Sequence, residues 1–402
     1  MKFSTEFHNY KLAGGLVQAI ARIAPRSSLT FMDICGTHTV NIFKFGIKNL
    51  LPPTINLISG PGCPVCVTCE EDINSAIEIC NLPDTILLTF GDMLRVPGSY
   101  SSLEKEKSKG RDVRILYSPL KALEICKKNL SRRVVFFAIG FETTSPTIAA
   151  TLIQAKHECV KNFFIYPSHK LIPPAMRAIL DGGYANIDGF ICPGHVSTII
   201  GSRAYEHIAR RYSIPCVITG FEPLDILQGI YILLRQIVRI RNSGCGAKVE
   251  VQYKRCVTGN GNTVAKNILS KVFKVVDAKW RGLGIIPNSG LALRREYAMF
   301  DIRSSCPIHR TCSGTIHRTC SGTIHRTCSG TIHRTCSGRV YSAVYSAKKC
   351  RCGEVLRGII NPEECRLFAK VCTPQNPCGP CMVSSEGTCA AHYKYGQKYD
   401  FA

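Results

Sequence analysis

The sequence predicts an α/β protein with two parallel-sheet domains, followed by a Cys-rich region of loops and short helices at the C-terminus. Between residues 28 and 240, short runs of Val, Ile, Leu and Phe alternate with stretches of helical periodicity, which is typical of parallel α/β architecture. The apolar runs lack strict polar alternation, as expected of strands buried on both faces. Beyond residue 349, cysteines stand among prolines and glycines, a composition that predicts loops rather than a third sheet.

Eight strands are predicted, each from one apolar run: Ser28–Cys35, Ile55–Gly60, Thr85–Gly91, Val113–Tyr117, Arg133–Gly140, Asn162–Tyr166, Gly189–Cys192 and Pro215–Gly220. Helical periodicity between them predicts seven helices: Val40–Leu50, Glu70–Cys80, Leu120–Lys128, Thr147–His157, Pro173–Leu180, Arg203–Tyr212 and Pro223–Ile240. The charged stretch 104–114 contains the helix-breaking Gly110, so a boundary between two α/β units is expected nearby. The expected division is therefore a first domain over 1–125, a second over 126–300, an insertion over 301–348 and the Cys-rich region over 349–402.

Composition excludes several classes of protein. The chain of 402 residues has a net charge of +23, but its Lys and Arg residues are scattered, so we expect no nucleic-acid binding and instead a basic surface for an acidic protein partner. No apolar run reaches the ~18 to 20 residues of a membrane span, and Ile226–Ile240 is interrupted by charged residues. Residues 1–6 carry no apolar signal segment. With 23 cysteines, this predicts a cytoplasmic protein whose thiols serve metal or redox chemistry.

An octapeptide, Ile-His-Arg-Thr-Cys-Ser-Gly-Thr, occurs at 308–315, 316–323 and 324–331, and again at 332–339 with Arg339 in place of the final Thr. A His/Cys metal array is one interpretation. Repetition without variation favours the other, an inert insertion in a tolerant, flexible surface loop.

The first candidate site is Cys35-Gly36-Thr37-His38-Thr39, at the junction of a predicted strand and helix. Backbone N–H groups and the helix dipole at such a junction favour a thiolate. His38 lies one helical turn away and could ligate, donate a proton or orient a partner. The alternative is a small core cysteine beside a capping Thr.

The second candidate site is Gly60-Pro61-Gly62-Cys63-Pro64-Val65-Cys66, also between a strand and a helix. A Cys-x-x-Cys pair at this position places two sulfurs within bonding distance and favours reversible redox chemistry. Cys69 extends the run to Cys-x-x-Cys-x-x-Cys, which by itself indicates an iron–sulfur motif.

The third candidate site is the Cys-rich tail. This segment has too little apolar surface to order itself, so a bound metal is expected to stabilise it. The cysteines concerned are Cys350, Cys352, Cys365, Cys372, Cys378, Cys381 and Cys389. A four-thiolate iron–sulfur cluster or a zinc ion would supply the missing stabilisation. The spacings match no zinc ribbon, and a redox pair exists elsewhere in the chain, so iron–sulfur is favoured.

Polar residues also follow other predicted strands. Glu142 in Gly-Phe-Glu-Thr-Thr, His195 in Pro-Gly-His-Val-Ser and Glu222 in Gly-Phe-Glu-Pro are candidates for a shared cleft, because ligands gather at the carboxyl ends of strands in open α/β sheets. Ordinary helix capping explains the same residue types equally well.

Six motifs in order resemble the HypD family of hydrogenase maturation proteins: those at 35–39, 60–66, 89–93, 140–144 and 193–197, and Cys-Met-Val-Ser-Ser-Glu-Gly at 381–387. The resemblance implies two α/β domains, a [4Fe–4S] cluster and assembly of the iron centre of [NiFe] hydrogenases. Its partners would be a small HypC-type chaperone, a cyanide-donating HypE-type protein and, through the chaperone, the hydrogenase large subunit. The alternative function is an iron–sulfur-dependent thiol–disulfide oxidoreductase; whether the chain is an enzyme stays open.

Carried over by residue, the resemblance implies that Cys35 holds the iron of an Fe(CN)2CO fragment together with a cysteine of the chaperone, and that His38 supports this site. Cys63 and Cys66 would be the redox pair. The implied cluster ligands are Cys365, Cys372, Cys381 and Cys389. The chain departs from the family pattern at three positions, with Cys69 in place of proline, Cys378 in place of an apolar residue and Asp33 in place of glutamate.

Overall fold

A computed structural model describes residues 9–305 and 350–396 of the chain. The octapeptide repeat at 308–339, and with it the expected flexible insertion, lies outside these residues.

The described strands form two parallel sheets and one hairpin. The strands are β1 (Leu29–Asp33), β2 (Ile55–Ser59), β3 (Thr85–Thr89), β4 (Val113–Ile115), β5 (Arg133–Gly140), β6 (Phe163–His169), β7 (Gly189–Pro193), β8 (Cys216–Thr219), β9 (Val249–Val251), β10 (Phe273–Trp280) and β11 (Gly284–Leu293). The first sheet has the order β2-β1-β7-β8-β9 and the second the order β4-β3-β5-β6, with every pairing parallel. The predicted α/β class with two parallel sheets is confirmed.

Helices connect and cover the strands. Those within residues 9–305 are α1 (Tyr10–Ile23), α2 (Gly36–Lys44), α3 (Ile47–Leu50), α4 (Pro64–Val67), α5 (Glu70–Cys80), α6 (Leu103–Ser108), α7 (Lys121–Lys128), α8 (Ser145–His157), α9 (Ile172–Asp181), α10 (Gly194–Ile200), α11 (Glu206–Tyr212), α12 (Pro223–Ser243), α13 (Thr263–Val272) and α14 (Ile302–Ser305). The tail contributes three short helices, Cys352–Leu356, Pro380–Val383 and Thr388–Tyr395, joined by loops as predicted. None of the described helices is long and apolar enough to cross a membrane.

The sheets do not divide at residue 125. The first sheet combines β1 and β2 with β7, β8 and β9, whereas the second takes β3 to β6 from between them. The expected boundary at residues 125/126 therefore falls inside the second sheet, between the strands β3 and β4 on one side and β5 and β6 on the other, and does not separate the two sheets. The physical reason is that strands in a parallel sheet pair through crossovers, so sequence neighbours need not share a sheet.

All eight predicted strands are present, but the antiparallel hairpin β10–β11 was missed. Exposed residues occur along both strands, so neither strand forms a continuous apolar run. Pro287 lies within β11, and the register shifts between Val276 and Ala278, both features that weaken a strand pattern. The predicted helix Val40–Leu50 is instead two helices, α2 and α3, which are separated by Gly46 with a φ of 61°.

The apolar cores explain how the two sheets and the tail hold together. One core contains residues of both sheets, of α4 and α5, and the tail cysteines Cys352, Cys372, Cys378, Cys381 and Cys389. Two further cores cover the other faces, one between α1, α12 and the first sheet and one around the second sheet. The tail is therefore packed into the central core of the protein.

A buried ion pair joins α5 to the end of β6. Lys170 Nζ lies 3.5 Å from Asp72 Oδ2, and both side chains are almost fully buried. The hydroxyls of Tyr166 and Ser168 donate to the same carboxylate, at 3.0 and 2.6 Å. Lys170 and these hydrogen bonds lower the pKa of Asp72 although burial opposes them. The pair therefore neutralises a carboxylate that would otherwise be costly inside the protein.

We predict that Lys170→Met lowers the free energy of unfolding by about 3 kcal/mol, because it removes the buried ammonium group that pairs with the Asp72 carboxylate. The matched control is Lys279→Met on the exposed pair with Glu71, whose loss should cost less than about 1 kcal/mol. Chemical denaturation of the three proteins measures both values. Equal effects of the two substitutions would contradict the prediction.

Candidate thiol and iron site

Cys35 lies at the carboxyl end of β1 as the N-cap of α2, where the chain turns from strand to helix. The Gly36 N–H donates to the Gly62 carbonyl at 3.0 Å, so the two predicted thiol motifs are side by side. A Cβ on Gly62 would overlap the backbone of Cys35, and one on Gly36 would overlap Glu386. Glycine at these two positions permits the close approach of three distant segments.

Burial controls the protonation of Cys35. Burial raises the pKa of its thiol to about 12, and the nearby Glu386 carboxylate adds to the effect. The N–H groups of His38 and Thr37 lower the pKa, so the predicted stabilisation by the helix end is present but is outweighed. The thiol is only 8% exposed, and it therefore stays protonated unless a metal or another positive charge replaces the proton.

The Asp33 side chain forms hydrogen bonds next to Cys35. Its carboxylate accepts hydrogen bonds from Thr39 Oγ1 at 2.8 Å, Ser59 Oγ at 3.1 Å and the Cys35 N–H at 3.4 Å. Burial raises the pKa of Asp33 to about 7, although these hydrogen bonds oppose the shift. Ser59 was not identified from the sequence, since only the pairing of β1 with β2 brings it beside Asp33.

The His38 ring is hydrogen-bonded at the carboxyl end of β8 rather than to Cys35. Its Nε2 lies 2.9 Å from both the Gly220 carbonyl and Thr219 Oγ1. The His38 and His195 rings both stack on Phe221, with centroids 4.7 and 3.9 Å away. Burial lowers the pKa of His38 to about 4 and also lowers that of His195, so both rings are neutral at pH 7.

Cys63 and Cys66 form a close dithiol. Cys63 is the N-cap of α4, and its sulfur accepts the Cys66 N–H at 3.2 Å. The two free sulfurs are 2.6 Å apart, as the Cys-x-x-Cys spacing predicted. Burial raises the pKa of the Cys66 thiol, and a hydrogen bond from Cys381 opposes this shift. Helix α4 also contacts β5 and the tail helix Pro380–Val383, so the dithiol lies where both sheets meet the tail.

Cys381 joins this dithiol to the other tail thiols. Its sulfur lies 2.8 Å from that of Cys352 and interacts with those of Cys66 and Cys389. Cys352 belongs to the third candidate site but is not among the implied cluster ligands. Cys350 interacts with Cys352, and Cys372 interacts electrostatically with Cys378, Cys350 and Cys389.

Cys365 is the exception among the predicted cluster ligands. It is buried and lies near Arg351, and no hydrogen bond joins its sulfur to another thiol of the described residues. Among residues 9–305 and 350–396, no three His, Cys, Asp or Glu side chains converge on a point suited to a metal ion. A [4Fe–4S] cluster takes one thiolate on each of its four irons, so its ligands do not converge on a single point.

The tail also contacts the Cys35 loop directly. Thr37 Oγ1 donates to Glu386 Oε1 at 2.9 Å, five residues after Cys381. Asp92 Oδ2 accepts from Ser384 Oγ at 3.0 Å and from the Ser385 N–H at 3.2 Å. Residues 384–386, which follow Cys381, are therefore hydrogen-bonded both to Asp92 and to the Cys35 loop. The motif at 89–93, one of the six that resemble the HypD family, supplies the contacts of Asp92.

The two predicted cleft glutamates lie at the ends of different sheets. Glu142 follows β5, and its Oε1 accepts the Ile172 N–H at 2.9 Å at the start of α9. Glu222 is the N-cap of α12 and forms a capping box with Asp225. The helix-capping interpretation therefore accounts for contacts of both residues. Of the three strand-end candidates, His195 and Glu222 flank Phe221 near His38, whereas Glu142 belongs to the second sheet.

We predict that Glu142 makes stability depend on pH. Burial raises the pKa of Glu142 to about 7, and its Oε2 has no hydrogen-bond partner. The stability contributed by the protonated form is full below the unfolded pKa of 4.5 and is lost as pH rises through about 7. Glu142→Gln should unfold like the wild type at pH 4 and be more stable by about 2 to 3 kcal/mol at pH 8.5. An equal difference at both pH values in thermal unfolding would contradict this.

Known proteins match this chain over nearly its whole length. A family model named HypD and described as "Hydrogenase formation hypA family" matches residues 11–332 and 332–396. The hydrogenase maturation factor HypD2 of Bradyrhizobium diazoefficiens is 42% identical over 409 residues, covering 100% of this chain and 98% of that protein. HypD of Azotobacter vinelandii is 43% identical over 406 residues, covering 99% and 98%, and HypD of Escherichia coli is 40% identical over 408 residues, covering 99% of each. The chain therefore belongs to the HypD family of hydrogenase maturation factors.

Proposed function

We propose that this hydrogenase maturation factor is the scaffold on which an Fe(CN)2CO fragment is assembled, with Cys35 as the anchor of the iron. The observation that carries the proposal is the position of Cys35 at a sheet edge, between the dithiol loop and Glu386. A soft thiolate is a suitable ligand for iron, and iron binding would displace the proton that burial otherwise retains. The iron fragment is cargo that is passed on.

Neutral imidazoles near this edge suit such a site. His38 and His195 carry no charge at pH 7, so they add no repulsion toward iron. His38 is fixed by Thr219 and the Gly220 carbonyl, and its Nδ1 is buried without a hydrogen-bond partner. In this proposal His38 and His195 orient the Phe221 loop beside the iron.

The thiols provide a path for electrons. Cys63 and Cys66 release two electrons and two protons when they form a disulfide. Contacts continue from Cys66 to Cys381 and from Cys381 to Cys352, so a second thiol pair lies directly behind the first. A dithiol–disulfide exchange between the pairs would leave one pair oxidised and the other reduced, with no net gain of electrons.

The tail suits an iron–sulfur cluster by the chemistry of its donors. Its buried sulfurs are soft ligands packed in the central core. A bound cluster would supply one-electron transfer. Cys365, Cys372 and Cys389 are proposed ligands, and Cys381 is the fourth expected from the family pattern. Cys381, however, contacts Cys352 and Cys66. Since Cys350 lies near Cys372, Cys350 is the alternative to Cys381 as the fourth ligand.

The partners follow from the same proposal. A small HypC-type chaperone would contribute the second thiolate to the iron, a HypE-type protein would donate cyanide, and the hydrogenase large subunit would receive the fragment through the chaperone. The net charge of +23 favours acidic surfaces on the proteins that dock.

The second candidate function is a cluster-dependent thiol–disulfide oxidoreductase that reduces a protein disulfide. The specific observation in its favour is the 2.6 Å separation of the Cys63 and Cys66 sulfurs. This activity would not need Cys35, whereas the scaffold would.

We predict that protein purified anaerobically, after co-expression with its HypC-type and HypE-type partners, has infrared bands of bound cyanide and carbon monoxide. Cys35→Ala should abolish these bands because the iron loses its anchor. Cys126→Ala, which removes a buried thiol packed against the second sheet, is the matched control and should retain them. Bands that persist in Cys35→Ala would refute the anchor, and their absence from the wild type despite an intact cluster would favour the oxidoreductase.

We also predict that Cys63→Ser and Cys66→Ser each bind iron through Cys35 but fail to accumulate the finished fragment, because the electron path is broken. Iron content and infrared intensity, measured on the same samples, separate the two steps. Cys69→Ser is the control at the neighbouring thiol, which faces Asp72 rather than the dithiol. Full infrared intensity in either Cys63→Ser or Cys66→Ser would exclude a role for the pair.

A further inference from the structure

The tail contains more thiols than a cluster can bind. Seven free thiols lie in the described tail residues, namely Cys350, Cys352, Cys365, Cys372, Cys378, Cys381 and Cys389, whereas a [4Fe–4S] cluster binds four. Cys352 and Cys381 contact one another. Cys378 is the thiol that neither the redox path nor the proposed ligand set uses.

The chain reverses direction between Cys372, a proposed cluster ligand, and Cys378, so that the two residues are in contact. A turn joins Thr373 and Asn376 through reciprocal backbone hydrogen bonds of 3.3 and 3.1 Å, which reverses the chain. The Cys378 N–H consequently donates to the Cys372 sulfur at 3.3 Å, and both residues are 6% exposed. These two residues therefore approach the same place in the core from the two ends of one turn.

The surroundings of Cys378 are those of a sulfur site. The next residue is Gly379, where a Cβ would lie 2.7 Å from the Cys350 sulfur, so the backbone after Cys378 packs directly on a third tail thiol. The thiols of Cys372 and Cys378 also interact electrostatically. A buried thiol at this point offers iron the same soft ligand that Cys372 offers.

We propose that Cys378 is a reserve ligand of the cluster, able to replace Cys372 on the same iron. The exchange is balanced without a redox partner: Cys378 gives up its thiol proton as its sulfur binds iron, and Cys372 takes up one proton as it leaves. The inference rests on the proposed cluster and adds to it a fifth thiol, at a position where the family pattern has an apolar residue.

The test uses the full chain, with the cluster rebuilt anaerobically from ferrous iron and sulfide. Wild type, Cys378→Ala and Cys372→Ala should each hold about four iron and about four sulfide per chain, because one of the two thiols suffices. Cys372→Ala/Cys378→Ala should lose most of this cluster. Cys365→Ala is the matched control, since no second thiol hydrogen-bonds Cys365 among the described residues, and it should lose the cluster as a single variant.

Loss of the cluster from folded Cys372→Ala to the same extent as from the double variant would overturn the reserve role. A wild type that binds no cluster would instead overturn the cluster itself, so the two failures are distinguishable. Circular dichroism of each protein before reconstitution identifies variants that do not fold.

A second measurement avoids the Cys372 variants. When a chelator is added, the cluster should decay several-fold faster in Cys378→Ala than in the wild type, because a ligand that detaches is no longer replaced. Equal decay rates would contradict the proposal.

Discussion

The close approach of three chain segments around Cys35 is the constraint on which the rest of the site depends. Strands β1 and β2 are neighbours in the first sheet, so the loops that leave them lie side by side, and the tail closes over both. Gly36 and Gly62 have no side chains to separate these segments. Any Cβ at either position would move the Cys35 loop away from Glu386 or from the dithiol loop. The thiol contacts in the core exist because the backbones meet here.

This arrangement has an electrostatic consequence. Placing thiols in a dry core disfavours their charged forms, and the pKa values of Cys35 and Cys66 are raised for that reason. Such thiols are poorly reactive toward small molecules in solvent, but a metal that replaces the proton removes the penalty. Burial therefore favours metal binding and exchange between thiols in contact over reaction with small molecules from solvent.

The tripeptide Gly-Phe-Glu occurs at 140–142 and again at 220–222, and the structure explains this repetition. Each tripeptide follows a strand, β5 in the second sheet and β8 in the first, and each glutamate binds the backbone at the start of a helix. The first N–H groups of a helix have no partner within that helix, and in both places a glutamate accepts one of them. The two loops differ in what surrounds them: Phe221 stacks on two histidines, and Phe141 stacks on Trp280. The same local sequence thus lies beside His38 and His195 in the first sheet and packs on Trp280 in the second.

The sequence by itself determined the local features of this protein. Continuous apolar runs predicted eight strands, α5 has the predicted bounds Glu70–Cys80, and the spacing of Cys63 and Cys66 placed their sulfurs together. Tertiary structure decided the strand order, which mixes segments more than 150 residues apart, since nothing local encodes the partner of a parallel strand. It also decided the pairing of Cys381 with Cys352 and the neutral state of His38 at pH 7, because burial and long-range partners set contacts and pKa values.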